Sequence, residues 1–338
     1  MNPQEDTRRE ASRKLIEAIG IEAFLEMFGP LIGRTMKDCA ERVIASFPKY
    51  QDSNEFEIKR IRDNGSPDWV GKADKRAQQV YEKLIREDWV HTFGFGMIGE
   101  EDDLRIPCVI PGHDVYFTCD PYDGTGAMKR GQSHGVGTMV ALVCDGKVVA
   151  ALVGDTNSQE LYYFRPGSDK THRIKLRSQT SNELVIDDQL PLAEQVLLLR
   201  SMPFELSRVI QAMVVDQGKE LFKKAVATNG SIGVSMAQLW KGEVGGAVMA
   251  LGNSTPWDTS PVIGLSLRLG FDFYYVQSPT KYSFHHAQQG EPMGRLVRYS
   301  PVPPKETVNE PHEIFVVHSS RREELVAWGE RRNIRVTI

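Results

Sequence analysis

An α+β fold in two sub-domains is what this chain of 338 residues predicts, and three observations carry the prediction. Residues 7 to 48 hold apolar positions at helical spacing. Two strand-like runs, Val136 to Cys144 and Val148 to Val153, flank Asp145-Gly146, a pair suited to the positive backbone angles of a hairpin turn. Near Leu190-Pro191 the pattern changes to the apolar Val196-Leu197-Leu198-Leu199, so the boundary is expected between residues 1–189 and 190–338.

In the first helical region Leu15, Ile16 and Ile19, then Phe24, Leu25 and Phe28, form the apolar stripe. Gly29-Pro30 is the expected break, giving two helices packed on a sheet. Residues 49 to 70 are polar and include Asn64-Gly65-Ser66-Pro67, a loop signature. A lid that orders with a bound cation and a plain connector both fit that loop. Val115-Tyr116-Phe117 predicts a strand, Leu161 to Phe164 a further paired strand, and the polar stretch 166–190 has room for others. A helix is expected from about Pro203 to Ala227, with Met213 to Val215 and Met236 to Leu239 on core-facing sides. Thr255-Pro256 and Ser260-Pro261 each fit an N-cap followed by proline at the first helical position. The second is preferred because it leaves no proline inside the helix. Glu313 to His318 and Arg321 to Arg331 predict a closing strand and helix.

Hydrophobic residues make up 41% of the chain and charged residues 25%, sufficient for two domains with a large core. A formal charge of −4 gives no footprint for polymeric nucleic acid or for an anionic membrane. An anionic small molecule would have to be bound locally. Cys39, Cys108, Cys119 and Cys144 lack C-x-x-C spacing, which argues against structural zinc and suits buried thiols in a reducing compartment. The first ten residues carry no signal-peptide core and no apolar run reaches transmembrane length, so a cytoplasmic location is expected. His285-His286, in a polar glutamine-rich stretch, is assigned no role.

The chemistry is concentrated in Phe117-Thr118-Cys119-Asp120-Pro121-Tyr122-Asp123-Gly124-Thr125. Asp120 and Asp123 supply charge for a hard cation such as Mg²⁺, which takes one or two carboxylates plus phosphate oxygens. Pro121 fixes a backbone angle, and Gly124 removes the side chain that would keep a phosphate from nearby N–H groups. A plain Asp-Pro-x-Asp-Gly turn is the structural alternative. Upstream, Gly99-Glu100-Glu101-Asp102-Asp103 packs four acids into one run, which also suits a solvated face. Downstream, Trp257-Asp258 sits at a helix start, where Asp258 would also complement the helix dipole and Trp257 would also suit a core.

Gly-Glu-Glu, then Asp-Pro-x-Asp-Gly-Thr, then Trp-Asp, in that order, resemble the inositol monophosphatase superfamily. That group holds inositol phosphatases, fructose-1,6-bisphosphatases and 3′(2′),5′-bisphosphate nucleotidases. Asp68-Trp69-Val70-Gly71-Lys72-Ala73-Asp74 is similar to the family's D-x-V-T-x-x-D at the start of a helix, with Gly71 where threonine is usual. The likeness runs over about residues 60 to 275. It implies a layered αβαβα sandwich of the sugar-phosphatase type. It further implies a lithium-sensitive phosphomonoesterase using two or three Mg²⁺ ions, with Mn²⁺ as a substitute, and a homodimer as the frequent family state.

By the same resemblance Glu100 would ligate a first and a weakly held third metal, and Asp120 would bridge the first and second. Asp123 and Asp258 would complete the second site, and the Tyr122 carbonyl would add to the first. Asp74 and Thr125 would form the pair that orients and deprotonates the attacking water, and the Gly124 and Thr125 amides would hold phosphate. Elementary chemistry agrees: a phosphomonoester dianion repels hydroxide, so charge cancellation and an acidified water replace a covalent nucleophile. Cys119 as a thiolate acceptor is disfavoured, because neighbouring negative charge raises a thiol pKa.

Substrate identity is less defined. The acid that reads a ring hydroxyl in simple inositol monophosphatases, seven positions before the Trp-Asp aspartate, is Leu251 here. Leu251 to Thr255 and Gly99 to Asp102 bear a loose likeness to bisphosphate nucleotidases, and Gly126-Ala127-Met128 departs from both groups. Gly230 and Ser231 would line a leaving-group pocket or form a helix N-cap. The leading expectation is hydrolysis of a small polyol or sugar phosphate. A 3′(2′),5′-bisphosphate nucleotidase and a catalytically silent regulatory homologue are the alternatives.

Overall fold

The computed structural model describes residues 3–51, 55–61, 65, 67–186, 190–215, 220–249, 252–278 and 293–338. Two large sheets organise them. The first has eight strands in the spatial order Thr180–Glu183, His172–Lys175, Glu160–Phe164, Lys147–Asp155, Gly137–Cys144, Val115–Asp123, Gly96–Gly99 and Arg105–Ile106. The second has seven: Lys224–Ala227, Val196–Leu199, Gly246–Met249, Glu313–His318, Phe271–Gln277, Gly294–Tyr299 and Ile334–Thr337.

Apolar faces set the layering. Helices Pro3–Ile19, Ile21–Gln51 and Lys72–Ile85 cover one face of the first sheet, burying Ile16, Phe24, Val43 and Tyr81 against Phe117 and Leu142. Helices Ile232–Trp240 and Pro256–Arg268 lie between the sheets, where Trp240, Val262 and Leu265 meet Met139, Ala151 and Phe273. Arg208–Ala212 and Arg322–Arg332 close the outer face of the second sheet through Val209, Leu325 and Trp328. The result is the expected αβαβα sandwich, and each sheet buries both faces, which is why its central strands are nearly continuous apolar runs.

The Asp145-Gly146 hairpin forms as expected, with φ of 48° and 77° at its two turn residues and Cys144 opposite Lys147. The predicted helix at Lys72–Ile85 starts where Asp74 accepts a hydrogen bond from the Gly71 amide at 2.9 Å. The closing strand and helix are also found, at Glu313–His318 and Arg322–Arg332.

Four local expectations are corrected. The first two helices part at Gly20, which is left-handed at φ 83°, while Gly29-Pro30 lies inside Ile21–Gln51. There a Cβ at Gly29 would come within 2.1 Å of the Pro166 carbonyl oxygen, so the residue serves close packing against the turn that follows Glu160–Phe164. Residues 49 to 70 include paired strands Phe56–Ile61 and Pro67–Gly71 rather than an irregular loop. The long helix expected from Pro203 is reduced to Arg208–Ala212, capped by Ser207. Leu221 and Phe222 then turn back to the Met213 carbonyl, and Lys224–Ala227 becomes a strand parallel to Val196–Leu199. Sheet pairing outweighs helical periodicity at that edge. The fourth concerns the cysteines: Cys39, Cys119 and Cys144 are buried free thiols, whereas Cys108 is half-exposed.

Among the described residues no helix is long and apolar enough to cross a membrane.

Candidate active site

Asp120 and Asp123 lie three residues apart on the fully buried strand Val115–Asp123, where regular pleating would send them to opposite faces. The pairing prevents this. Asp120 is opposite Met139, but Asp123 is opposite Gly137, so the strand carries an extra residue between them. Such a bulge turns both carboxylates to one side, and Pro121, which has no amide to lose, suits it. Gly124 follows at φ 93°, and a Cβ there would lie 2.2 Å from the Gly135 oxygen and 2.7 Å from the Ser231 nitrogen. Only glycine fits this turn into the helix Thr125–Lys129.

Asp258 arrives from the other side, in the first turn of Pro256–Arg268. The preferred cap at Ser260 is corrected: Thr255 caps this helix, accepting from the Asp258 amide at 3.4 Å, and Pro261 stands inside it. Proline at the first position needs no amide partner, and the earlier start places Asp258 at the sheet surface. Carboxylate oxygens of Asp120, Asp123 and Asp258 then lie within 4.8 Å of one another. Trp257 packs beneath them with Ile98, Tyr116 and Val143, and the Arg105 guanidinium lies over its ring.

Glu100 adjoins this group, close enough to Asp120 for each carboxyl to alter the other's proton affinity. The acidic run is not a uniformly solvated face, because Glu101 is buried and held by Gln78, while Asp102 and Asp103 are exposed. Lys59, from the strand Phe56–Ile61, reaches Glu100 at 3.7 Å and Glu101 at 3.2 Å, and donates to the Glu100 carbonyl at 2.9 Å.

Crowding of buried acids shows in their proton affinity. Burial pushes Asp120 well above the carboxylate range, and Glu100, Asp123 and Asp258 add to it. Burial also raises Glu100, though Lys59 opposes it and 21% of its side chain stays exposed. Asp123 is raised to about 7 by burial and then Asp258, against hydrogen bonds from Ser231 and Gly233. One oxygen of Asp120, Oδ1, is buried without a hydrogen-bond partner. An orphaned, dehydrated carboxylate oxygen among other acids matches the oxygen-donor chemistry that hard divalent cations require. Burial pushes the Cys119 thiol up as well, which removes it as a thiolate nucleophile and leaves it as packing.

Asp74 and Thr125 are brought together. Thr125 Oγ1 donates to Asp74 Oδ1 at 2.8 Å and lies 3.2 Å from the Tyr122 carbonyl oxygen. Burial raises Asp74 to about 7 despite the Thr125 and Gly71 hydrogen bonds. Ser231 is the N-cap of Ile232–Trp240, and the same hydroxyl donates to Asp123 Oδ2 at 2.5 Å. Gly230 lies against the same Gly135 oxygen that bounds Gly124.

Neither Lys59 nor Arg200, nor the support that Ser231 gives Asp123, carries a signal in the sequence. Lys59 sits in a segment whose only local signal was that of a loop. Arg200 follows an apolar strand and has no motif around it. Leu251, His285 and His286 lie outside the described residues.

The sequence model of the inositol monophosphatase family matches residues 35–265. No curated protein matches this chain. Among solved structures, the extragenic suppressor protein suhB from Bartonella henselae aligns at 18% identity over 72% of this chain and 87% of that one, with TM-score 0.57. A Thermotoga maritima IMPase aligns at 16% identity over 87% of this chain and 94% of its own, also with TM-score 0.57. An IMPase/NADP phosphatase complexed with Mg²⁺ and phosphate aligns at 14% identity over 88% and 95%, with TM-score 0.55. At these identities the likeness establishes the fold.

Proposed function

Because the chain belongs to the inositol monophosphatase family, we propose that it is a Mg²⁺-dependent phosphomonoesterase acting on a small soluble polyol or sugar phosphate. The observation that carries this is the meeting of Asp120, Asp123 and Asp258 within 4.8 Å, with Glu100 beside Asp120. Asp120, Asp123, Asp258, Glu100 and the Tyr122 carbonyl would hold two or three cations, Mn²⁺ serving as a substitute. When bound, divalent cations cancel phosphoryl charge and acidify water.

The chain's own residues do the rest. Asp74 Oδ1 holds the Thr125 hydroxyl proton at 2.8 Å, so Thr125 Oγ1 keeps a lone pair free to take a proton from water while passing its own to Asp74. A carboxylate raised to about 7 is matched to that exchange near neutral pH. The Gly124 and Thr125 amides donate to the phosphate oxygens. Gly230 and Ser231 border the leaving group. On this reading residues 1–189 and 190–338 are two sub-domains that share the site, the second contributing Asp258. Lithium sensitivity, a cytoplasmic location and a homodimer are further parts of the proposal.

A phosphate-release screen over inositol, sugar and nucleotide phosphates, with Mg²⁺, with Li⁺ added and with EDTA, tests it. Release that requires Mg²⁺ and favours polyol or sugar monoesters is expected. Preference for 3′-phosphoadenosine 5′-phosphate would transfer the assignment to a nucleotidase, and inactivity throughout would refute the phosphatase reading.

A further inference from the structure

Arg200 follows the strand Val196–Leu199, and its own amide is tied to the Val248 carbonyl at 3.2 Å. Its guanidinium spans two consecutive carbonyls: Nη2 donates to Gly230 at 2.8 Å and Nη1 to Ser231 at 3.0 Å. Nη1 also donates to Ser235 Oγ at 2.8 Å, and that hydroxyl in turn donates to the Ser231 carbonyl at 2.7 Å. A planar fork with fixed donor directions makes such a bridge; a lysine ammonium does not. Among the described residues, these hydrogen bonds all go to neutral acceptors, and no carboxylate lies within ion-pair distance of Arg200. Dehydration holds its pKa below the usual arginine value, while Asp123 and Asp258 pull it up from further away.

The bridged turn has a second face. Ser231 Oγ donates to Asp123 Oδ2 at 2.5 Å, the Gly233 amide donates to the same oxygen at 3.2 Å, and the Ser231 amide is anchored on Gly135 at 2.8 Å. Asp123 Oδ2 is therefore fully engaged by this turn, which leaves Oδ1 as the oxygen available to the acidic centre. We propose that Arg200 is a positioning residue: by clamping the Gly230 and Ser231 carbonyls it fixes the turn that aims Asp123 at the cation site. The clamp explains why a dehydrated arginine with no carboxylate at ion-pair distance among the described residues stands at the end of this strand: its hydrogen bonds offset the loss of water, and Asp123 and Asp258 supply charge balance from further away.

The inference rests on the reading of Asp123 as a cation ligand, so the test measures cation binding directly. Mn²⁺ dissociation constants are measured by calorimetry on the full chain, with melting temperatures in EDTA, for Arg200→Lys, Arg200→Gln, Ser231→Ala and Arg200→Lys/Ser231→Ala. Arg200→Lys keeps the charge and loses the fork, so Mn²⁺ binding should weaken about tenfold while the metal-free protein melts within a few degrees of the unaltered chain. Arg200→Gln, whose amide ends two bonds short of the guanidinium nitrogens that bridge Gly230 and Ser231, should also weaken it and serves if the lysine variant does not fold. Acting through one turn, the two sites should be non-additive: the double variant should bind about as weakly as the weaker single variant. Unchanged affinity in both Arg200 variants, or independent multiplication of the two effects, overturns the clamp. Absence of Mn²⁺ binding by the unaltered chain instead overturns the cation reading itself, and the inference with it.

Discussion

Asp123→Asn removes one negative charge from three carboxylates gathered within 4.8 Å and retains an acceptor oxygen for Ser231 and Gly233. In the metal-free protein that charge is costly, since burial and Asp258 raise the group from 3.8 to about 7. The folded state then binds this proton more tightly than the unfolded state does. Its stabilising contribution is full below about pH 4 and is lost as pH rises to about 7. That interval of about three pH units, at about 1.4 kcal/mol each, sets a ceiling of about 4 kcal/mol at neutral pH. Sharing of charge with Asp120 and Asp258 brings the cost down to about 2 kcal/mol. A chain of this length has a melting entropy of about 0.7 kcal/mol/K, so Asp123→Asn should raise the melting temperature in EDTA at pH 7 by about 3 °C. At about pH 5 the gain should shrink. With Mg²⁺ the order should reverse, because only the unaltered protein gains from binding, and turnover of the variant should fall on the order of a thousandfold. Calorimetric melts in EDTA and in Mg²⁺ at both pH values decide it. A variant that melts lower in EDTA yet keeps the full Mg²⁺ shift would refute the placement of Asp123 in a cation site.

Other outcomes follow from the same geometry. Asp123 is raised to about 7, and Asp120 and Glu100 are raised as well, so cations must displace protons to bind. Mg²⁺ affinity should climb between about pH 5 and 7 with protons released, and a flat calorimetric profile would contradict this. Metal-free stability should decline across the same window. Asp272, held low by Arg322 and Arg298 despite its burial, opposes that trend only at more acidic pH. Thr125→Ala removes the 2.8 Å bond to Asp74 and should lower kcat on the order of a hundredfold while leaving Mg²⁺ affinity nearly intact; equal losses in both would make Thr125 a structural residue. Gly124→Ala forces a Cβ to within 2.2 Å of the Gly135 oxygen at φ 93°. Left-handed strain of about 1–2 kcal/mol and overpacking of about 1–3 kcal/mol should lower the melting temperature by about 3–7 °C, and near-native melting would show the turn to be softer than drawn.

Short-range rules made part of this protein readable from its residues alone. The Asp145-Gly146 hairpin, the helix started by Asp74 and the glycine turn at Gly124 depend on backbone angles and on hydrogen bonds spanning three or four positions, so adjacent residue types suffice to specify them. The order of Gly-Glu-Glu, Asp-Pro-x-Asp-Gly-Thr and Trp-Asp likewise identified the family and the layered fold. What tertiary structure decided is which distant groups meet and which way each points. The bulge that turns Asp120 and Asp123 to one side exists only as a register against Gly137–Cys144. Asp258 reaches them through packing of its helix between two sheets, Lys59 reaches Glu100 from the separate strand Phe56–Ile61, and Arg200 hydrogen-bonds a turn 30 residues further along, whose Ser231 donates to Asp123. The strand at Lys224–Ala227 is hidden from the sequence for the same reason: apolar periodicity within a segment carries no information about the open sheet edge that claims it. Local preferences amount to tenths of a kcal/mol per residue, whereas burying a side chain or completing a sheet edge is worth several times more.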